Sequence, residues 1–453
     1  MVYQVYPRSF QDSDGDGVGD LRGIASRLDY IKSLGVDVVW LNPVYQSPND
    51  DNGYDISDYR AIMPEMGSMA DFGAMLDGMH RRGIKLIMDL RMDVIPFISK
   101  DTAFPPIPAE YRSNYPAYYA KGPHLHEYLR EMNREVLRKY DVMTVGEGAG
   151  VTADDALKFV GDDRHELQTF FQFEIVERWG RRQGDFMYPD SSNRSLPALK
   201  DVFTRWDSVF AKSGWGTVFL GNHDQSRMVS RFGNDAPAYR NVSAKMLHTL
   251  LLTMRATPYI YNGDEIGMAN IRFSDIGDYR DLMTINYYNR LKREGGDLQQ
   301  FLAAQAEVSR DNSRTPIQWT ADTNAGFTSG VPWIRVNPDY RSVNVAEAER
   351  DTSSVLHYLR RLIALRKSEP VLVYGTYTLL DRGNPQVFTY TRSQNGRTLM
   401  VALSFSGTRG STVLPAGYTT GKILMNNLAG SPVRGGRLVL EPYQAVVLEV
   451  KKE

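Results

Sequence analysis

The chain has 453 residues, 42% hydrophobic and 24% charged, with 53 basic against 54 acidic side chains for a formal net charge of −1. That balance leaves no global field to attract nucleic acid or an anionic membrane surface. The absence of cysteine excludes disulfides, thiolate zinc sites and cysteine nucleophiles, and the length suits two or three domains or one large barrel with an appendage.

No apolar run is long enough to span a bilayer. The start, "MVYQVYPRSF", lacks the basic and apolar regions of a signal peptide. It enters a strand pattern with no lead-in, as expected of a domain shortened at its N-terminus, and a cytoplasmic location is the expectation. From there strand and helix signals alternate. "VYQVYP" reads as a strand, "DLRGIASRLDYIKSLG" as a helix closing on glycine, "VDVVWLNP" as a strand and "SMADFGAMLDGMHRRG" as a helix with the same stop. "IKLIMDL" is the third strand. After a Pro-rich loop, "HLHEYLREMNREVLRKY" is a helix, "DVMTVGEG" and "LQTFFQFEI" are strands, and "LPALKDVFTRWDSVFAKSG" is a helix. "GTVFLGNHD", "AYRNVSAKMLHTLLLTMRA" and "TPYIYNG" continue as strand, helix, strand. Such alternation with short apolar strands implies a parallel sheet under outer helices, and the number of units favours a closed barrel. No G-x-G-x-x-G opens a helix after a strand, which speaks against dinucleotide binding. From about residue 375 the pattern turns antiparallel: two β-rich runs flank Asn395–Gly396, a hairpin signal. The expected division is a TIM-type (β/α) barrel over 1–374 and a C-terminal antiparallel β domain over 375–453.

Three strand ends carry acids: Asp93 in "RMDVI", Glu147 in "MTVGE" and Asp224 in "FLGNHDQ". A lone acid at such a place is usually a helix cap or an ion-pair partner. Three converging at the C-terminal rim of a barrel suit glycosyl transfer, with a nucleophile, an acid/base and a stabilising charge. A second signal is "DSDGDGVGD" at 12–20. Acids at alternate positions with glycines suit a hard cation with oxygen ligands, although Gly23 stands where an EF-hand has its bidentate glutamate.

The segments "NDDNGYDISDY", "RMDVI", "TVGE", "GNHDQ" and "SRDNSRTPIQW", in this order, resemble the α-amylase superfamily of retaining glycoside hydrolases. The likeness is to its oligo-1,6-glucosidase, α-glucosidase and sucrose-isomerase branch, and it covers nearly the whole chain. The resemblance implies Asp93 as nucleophile, Glu147 as general acid/base and Asp224 as transition-state stabiliser, with Arg91 and His223 beside them. Asp51 and Arg314 would hold hydroxyls of the terminal glucose, and Tyr54 would be its stacking platform. A sugar's apolar face packs on an aromatic ring, and a charged pair gripping hydroxyls favours exo-cleavage at a closed pocket. Val94 is what α-1,6-active members of the branch carry. The resemblance also implies a structural calcium ion (Ca2+) in the 12–20 loop, held by the side chains of Asp12, Asp14, Asp16 and Asp20 and the Val18 carbonyl. The expected partner is a small oligosaccharide or disaccharide substrate of a monomeric enzyme.

One stretch departs from the pattern. In "LIMDLRMDVI" (86–95) a segment resembling the end of the family's third strand runs straight into one resembling the end of its fourth. The inserted domain between them is missing at the Leu90–Arg91 junction, so the barrel is expected to be modified. Asp89 and Asp93 are about 13 Å apart along one extended strand, too far to share one rim level unless the chain turns near Leu90–Arg91. Pro96 removes a backbone donor just beyond. Reduced activity is therefore expected. A sucrose isomerase or transglucosylase would use the same three acids. The amino-acid-transporter heavy chains also lack the inserted domain, but they carry a membrane anchor and have lost the acids. A non-catalytic relative, or a truncated or designed scaffold, is the other alternative.

Overall fold

The computed structural model describes residues 1–89, 95, 122–177, 180–183, 186–189, 195–434 and 437–452. Seven parallel strands occur among them: β1 (Val2–Val5), β2 (Val38–Leu41), β3 (Lys85–Met88), β4 (Val145–Glu147), β5 (Thr169–Phe171), β6 (Thr217–Val218) and β7 (Thr257–Tyr261). β1 lies between β2 and β7, β2 pairs with β3, β6 with β7, and β4 with β5, all in parallel. Thr217 Oγ1 donates to the Phe170 carbonyl at 2.8 Å and ties β6 to β5. The strands therefore run β4-β5-β6-β7-β1-β2-β3, the order of a TIM-type (β/α) barrel. Between β3 and β4 the chain runs from 89 to 144, and of the stretch 90–121 only Ile95 is described.

The strand side chains that point inward are largely aromatic. Trp40 stacks on Phe171 with centroids 5.0 Å apart, Phe171 meets Tyr259 edge-on at 4.7 Å, and Phe219 closes on Phe171 at 5.5 Å. Rings from β2, β5 and β7 and from Phe219 just after β6 thus pack inside the barrel, which is a packed core and not a pore.

The outer helices begin where the sequence signals placed them. Asp20 caps α1 (Leu21–Ser26) through the Gly23 N–H, and Ser68 and Asp71 form a capping box for α3 (Met69–Arg81). One helix expected over 21–35 is two. α1 stops at Arg27, with φ −108° and ψ 10°, and α2 (Leu28–Leu34) ends on Gly35 at φ 87°. Arg27 departs from helical geometry because its guanidinium bonds Gln11 Oε1 at 2.7 and 2.9 Å and lies 4.2 Å over the Trp319 ring. The helix α4 (Leu125–Glu135) is likewise shorter than its pattern, and Val136 leaves it at φ −128°.

A second sheet is antiparallel, with β8 (Thr376–Leu380), β9 (Val387–Gln394), β10 (Arg397–Ser404), β11 (Tyr418–Asn426) and β12 (Ala445–Lys452) in the order β8-β9-β10-β12-β11. The β9–β10 hairpin turns on Asn395 (φ 51°) and Gly396 (φ 77°), the left-handed pair that matches strand twist. The sheet shares its core with the barrel. Lys200 on α5 (Leu196–Phe210) donates to the carbonyls of Asp381 and Asn384 at 3.0 and 2.8 Å. Burial pulls its pKa down to about 8. Arg366 on α9 (Val355–Ser368) spans the carbonyls of Leu252, Met254, Ala256 and Leu372. Among the described residues no helix is long and apolar enough to cross a membrane.

Candidate active site

The C-terminal strand ends converge on one rim, where a barrel collects chemistry because its loops can vary without disturbing the core. Glu147 is the last residue of β4, in register with Phe171 of β5. Gly146 before it has no room for a side chain: a Cβ there would lie 3.0 Å from Ile95 Cγ2 and 2.8 Å from Leu167 Cδ1. Ile95 is thus packed beside the strand that carries Glu147. Asp93 and Arg91 lie outside the described residues, as do Val94 and Pro96.

His223 and Asp224 follow β6. Asp224 Oδ1 accepts from Arg310 Nη1 at 3.1 Å and Arg314 Nη2 at 2.9 Å, and its Oδ2 lies 3.1 Å from His223 Nε2. Burial alone would raise the Asp224 carboxyl. His223, Arg310 and Arg314 outweigh burial and hold it well below the usual carboxylate range. The site thus holds a carboxylate that stays ionised.

The two arginines flank α8 (Asp311–Arg314), Arg310 at its N-cap and Arg314 at its end. Four residues apart on one turn, they share a face. Arg314 is 1% exposed, bonds the His223 carbonyl through Nε at 3.0 Å and sits 5.9 Å from the Tyr6 ring centre. Arg310 reaches outward. Its Nη2 contacts Asp51 Oδ1 at 3.4 Å and Asp281 Oδ1 at 2.6 Å. The arginine in contact with Asp51 is therefore Arg310. Arg310 and Asp281 were both missed. The signal for Arg310 was its place in the same "SRDNSR" segment. For Asp281 it was the N-cap of α7 (Leu282–Glu294), where it accepts from Met283 and Thr284.

Tyr54 stacks face to face on His223, centroids 5.1 Å apart and planes within 5°. Its hydroxyl donates to Asp89 Oδ2 at 2.8 Å and accepts from Asn42 Nδ2. Asp89 is therefore at the rim, where the sequence placed the end of its strand.

The 12–20 loop gathers Asp12, Asp14 and Asp20, with one carboxylate oxygen from each lying within 4.8 Å of the others. Asp12 accepts from the N–H groups of Asp14, Gly15 and Gly17 and from Thr328 Oγ1. Asp20 accepts from Ser13 and Gly23. Asp16 is not among the three. It accepts from the Val18 N–H at 2.7 Å, and partial burial and the like charges of Asp14, Asp12 and Asp20 raise its carboxyl. Among the described residues no Lys or Arg pairs with these acids, so the donor set, hard oxygens facing one another, fits a divalent cation. The loop is bonded to the 326–333 segment: Asp12 N–H donates to the Phe327 carbonyl at 3.1 Å and Trp333 N–H to the Gly17 carbonyl at 3.0 Å. Trp333 Nε1 in turn donates to Ser9 Oγ at 3.1 Å, and Ser9 Oγ to the Arg314 carbonyl.

Comparisons with known proteins agree with this architecture. The catalytic-domain model of the α-amylase family matches residues 4–90 and 89–375, in two segments that meet at the end of β3. The oligo-1,6-glucosidases of Parageobacillus thermoglucosidasius and Bacillus cereus are 40% and 38% identical over 555 and 556 positions, covering 100% of this chain and 98% of each relative. The crystal structure of an isomaltulose synthase from Klebsiella sp. LX3 superposes with a TM-score of 0.95 at 33% identity, covering 100% of this chain and 98% of that one. With the barrel, the rim carboxylates and the family match together, the chain belongs to the α-amylase family of glycoside hydrolases.

Proposed function

We propose that the protein is a retaining α-glucosidase that removes the terminal glucose from short α-glucosides, with α-1,6 linkages such as isomaltose favoured. The observation that carries this reading is the ionised Asp224, gripped by His223, Arg310 and Arg314, with Arg310 reaching on to Asp51. A fixed negative charge at the rim is what an oxocarbenium-like transition state needs. Asp93 attacks the anomeric carbon, while Glu147 protonates the leaving oxygen and later takes a proton from water. Asp51 and Arg310 hold sugar hydroxyls from the closed end, Arg91 stands beside the nucleophile, and Arg314 works from beneath through Asp224. Tyr54 is the stacking platform, its ring held by His223. The unit of catalysis is the barrel, 1–374, with 375–453 as its C-terminal support, and it acts as a monomer in the cytoplasm. The names of the relatives support the linkage. The alignments run over 556 positions against 453 residues here, which supports a missing segment of about a hundred residues at the Leu90–Arg91 junction.

The test is product analysis. Isomaltose is expected to yield free glucose, and soluble starch to keep its viscosity. Rapid thinning of starch with little glucose would sink the exo-acting reading. Sucrose converted to an isomeric disaccharide would move the protein to the isomerase branch.

We further propose that Asp12, Asp14 and Asp20 hold calcium, with Asp16 and the Val18 carbonyl completing the shell. The ion's chemistry there is structural, neutralising acids that repel one another. A ligand that binds only the folded state at a hundred times its Kd adds about 2.7 kcal/mol, so EDTA is expected to lower the Tm by several degrees and calcium to restore it. An unchanged Tm, with no metal in the purified protein, would remove the assignment.

A further inference from the structure

Behind the sugar-binding face a hydrogen-bond chain runs from one strand end to another, and the donors and acceptors in it leave one consistent direction. Asp89 takes part in the chain as a carboxylate, which only accepts. Tyr54 therefore donates to it, at 2.8 Å. The Tyr54 oxygen must then accept from Asn42, which turns the Asn42 amide nitrogen toward Tyr54 and its Oδ1 away. Asn42 Oδ1 faces Gln4 Nε2 at 2.9 Å, so Gln4 presents its amino group there. The same Gln4 nitrogen lies 2.8 Å from His223 Nδ1. An amide nitrogen only donates, so Nδ1 of His223 has to accept, and the imidazole proton sits on Nε2.

We infer that Gln4 is a positioning residue that locks His223 in its Nε2–H tautomer. Gln4 is on β1, 1% exposed, and it acts through His223. The locked proton points to the place where it is useful. Nε2 is 3.1 Å from Asp224 Oδ2 yet not aligned for a full hydrogen bond, and it is buried with no other partner. The N–H is thereby held beside the stabilising carboxylate. In the other tautomer a bare Nε2 would face the Asp224 carboxylate, acceptor against acceptor, and the Nδ1–H would face the Gln4 amino group. The inference rests on the proposed role of His223 beside the sugar, but the tautomer itself is read without substrate.

The experiment is long-range nitrogen–proton correlation NMR of the uniformly 15N-labelled full chain at neutral pH, with His223→Gln to assign the signal. The wild type is expected to show the Nε2–H pattern for His223. Gln4→Glu supplies an acceptor in place of the donor, so the proton is expected to move to Nδ1 or the ring to become the cation, with kcat falling more than KM rises. An Nδ1–H pattern in the wild type would overturn the inference. So would an unchanged pattern in Gln4→Glu or, should that variant not fold, in Gln4→Met, since Asp224 alone would then set the tautomer. A tautomer that changes while turnover on every glucoside stays at the wild-type level would confirm the lock and count against the sugar-binding role of His223.

Discussion

Turnover of p-nitrophenyl α-glucoside is expected to fall about a hundredfold or more below that of the Parageobacillus thermoglucosidasius relative assayed beside it, the loss that a misplacement of about 1 Å can cause. The reason lies in chain reach. Asp89 is at the rim, bonded to Tyr54, and only three residues separate it from Asp93. A parallel strand must be entered from its far end, which takes a crossover of a dozen or more residues. Residues 90–92 are too few to supply one ahead of Asp93. Retaining chemistry needs the nucleophile about 5–5.5 Å from Glu147. The companion measurement is Asp93→Asn. Turnover equal to the relative's and abolished by that change would show the nucleophile correctly placed, against this expectation. Intact mass comes first, with 51.3 kDa the value for the joined chain.

Replacing Asp224 by asparagine is expected to lower kcat/KM a further roughly 10²–10³-fold, the range for removing one preorganised charge or donor from a developing transition state. It is also expected to destabilise the fold. Arg314 is 1% exposed and would keep its charge with a weaker partner, whereas Arg310 retains Asp281. A hydrogen bond to a charged group is worth about 1.5–3 kcal/mol. Asp224 is itself 29% exposed, which puts the cost at the lower end. The pH dependence has a definite sign. A carboxyl held below its unfolded value contributes stability at all pH above about 3.9, and that contribution fades as pH falls through the folded value. The Tm gap between wild type and variant is therefore expected to be constant from neutral pH to about 4 and to close below it. A gap that widens in acid would mean that Asp224 is not the ionised partner of these arginines. Unchanged kcat/KM would remove it from the mechanism.

Much of this site was legible because its chemistry sits at strand ends. Glu147, His223 and Asp224 each close an apolar run, and Asp89 does the same for β3. What the sequence could not decide was reach. Arg310 and Arg314 lie on one turn of one short helix, so spacing offers both. Burial distinguishes them, because Arg314 turns inward to the His223 carbonyl and Arg310 outward to Asp51 and Asp281. The break between α1 and α2 was hidden for a similar reason. Nothing near Arg27 disfavours a helix, and the Trp319 ring that draws its side chain is far along the chain. In the acidic loop spacing alone made Asp16 equal to its neighbours, whereas the backbone turns it to the Val18 N–H. At the junction the motifs were plain and the geometry was not, since two strand ends written as neighbours say nothing of how a barrel closes around them.

The contacts between the acidic loop and the arginine helix have a thermodynamic consequence. Asp12 and Gly17 hold the 326–333 segment, Trp333 holds Ser9, and Ser9 holds the carbonyl of Arg314. On the proposed function a cation would sit at one end of this bonded frame and a sugar at the other, and each would couple to the other if both favour the same ordered arrangement of the strip between them. Linkage then makes their effects reciprocal. By whatever factor the proposed calcium tightened the hold on glucose, glucose would tighten the hold on calcium, so on that proposal a protein saturated with substrate is expected to give up its ion more reluctantly than one at rest.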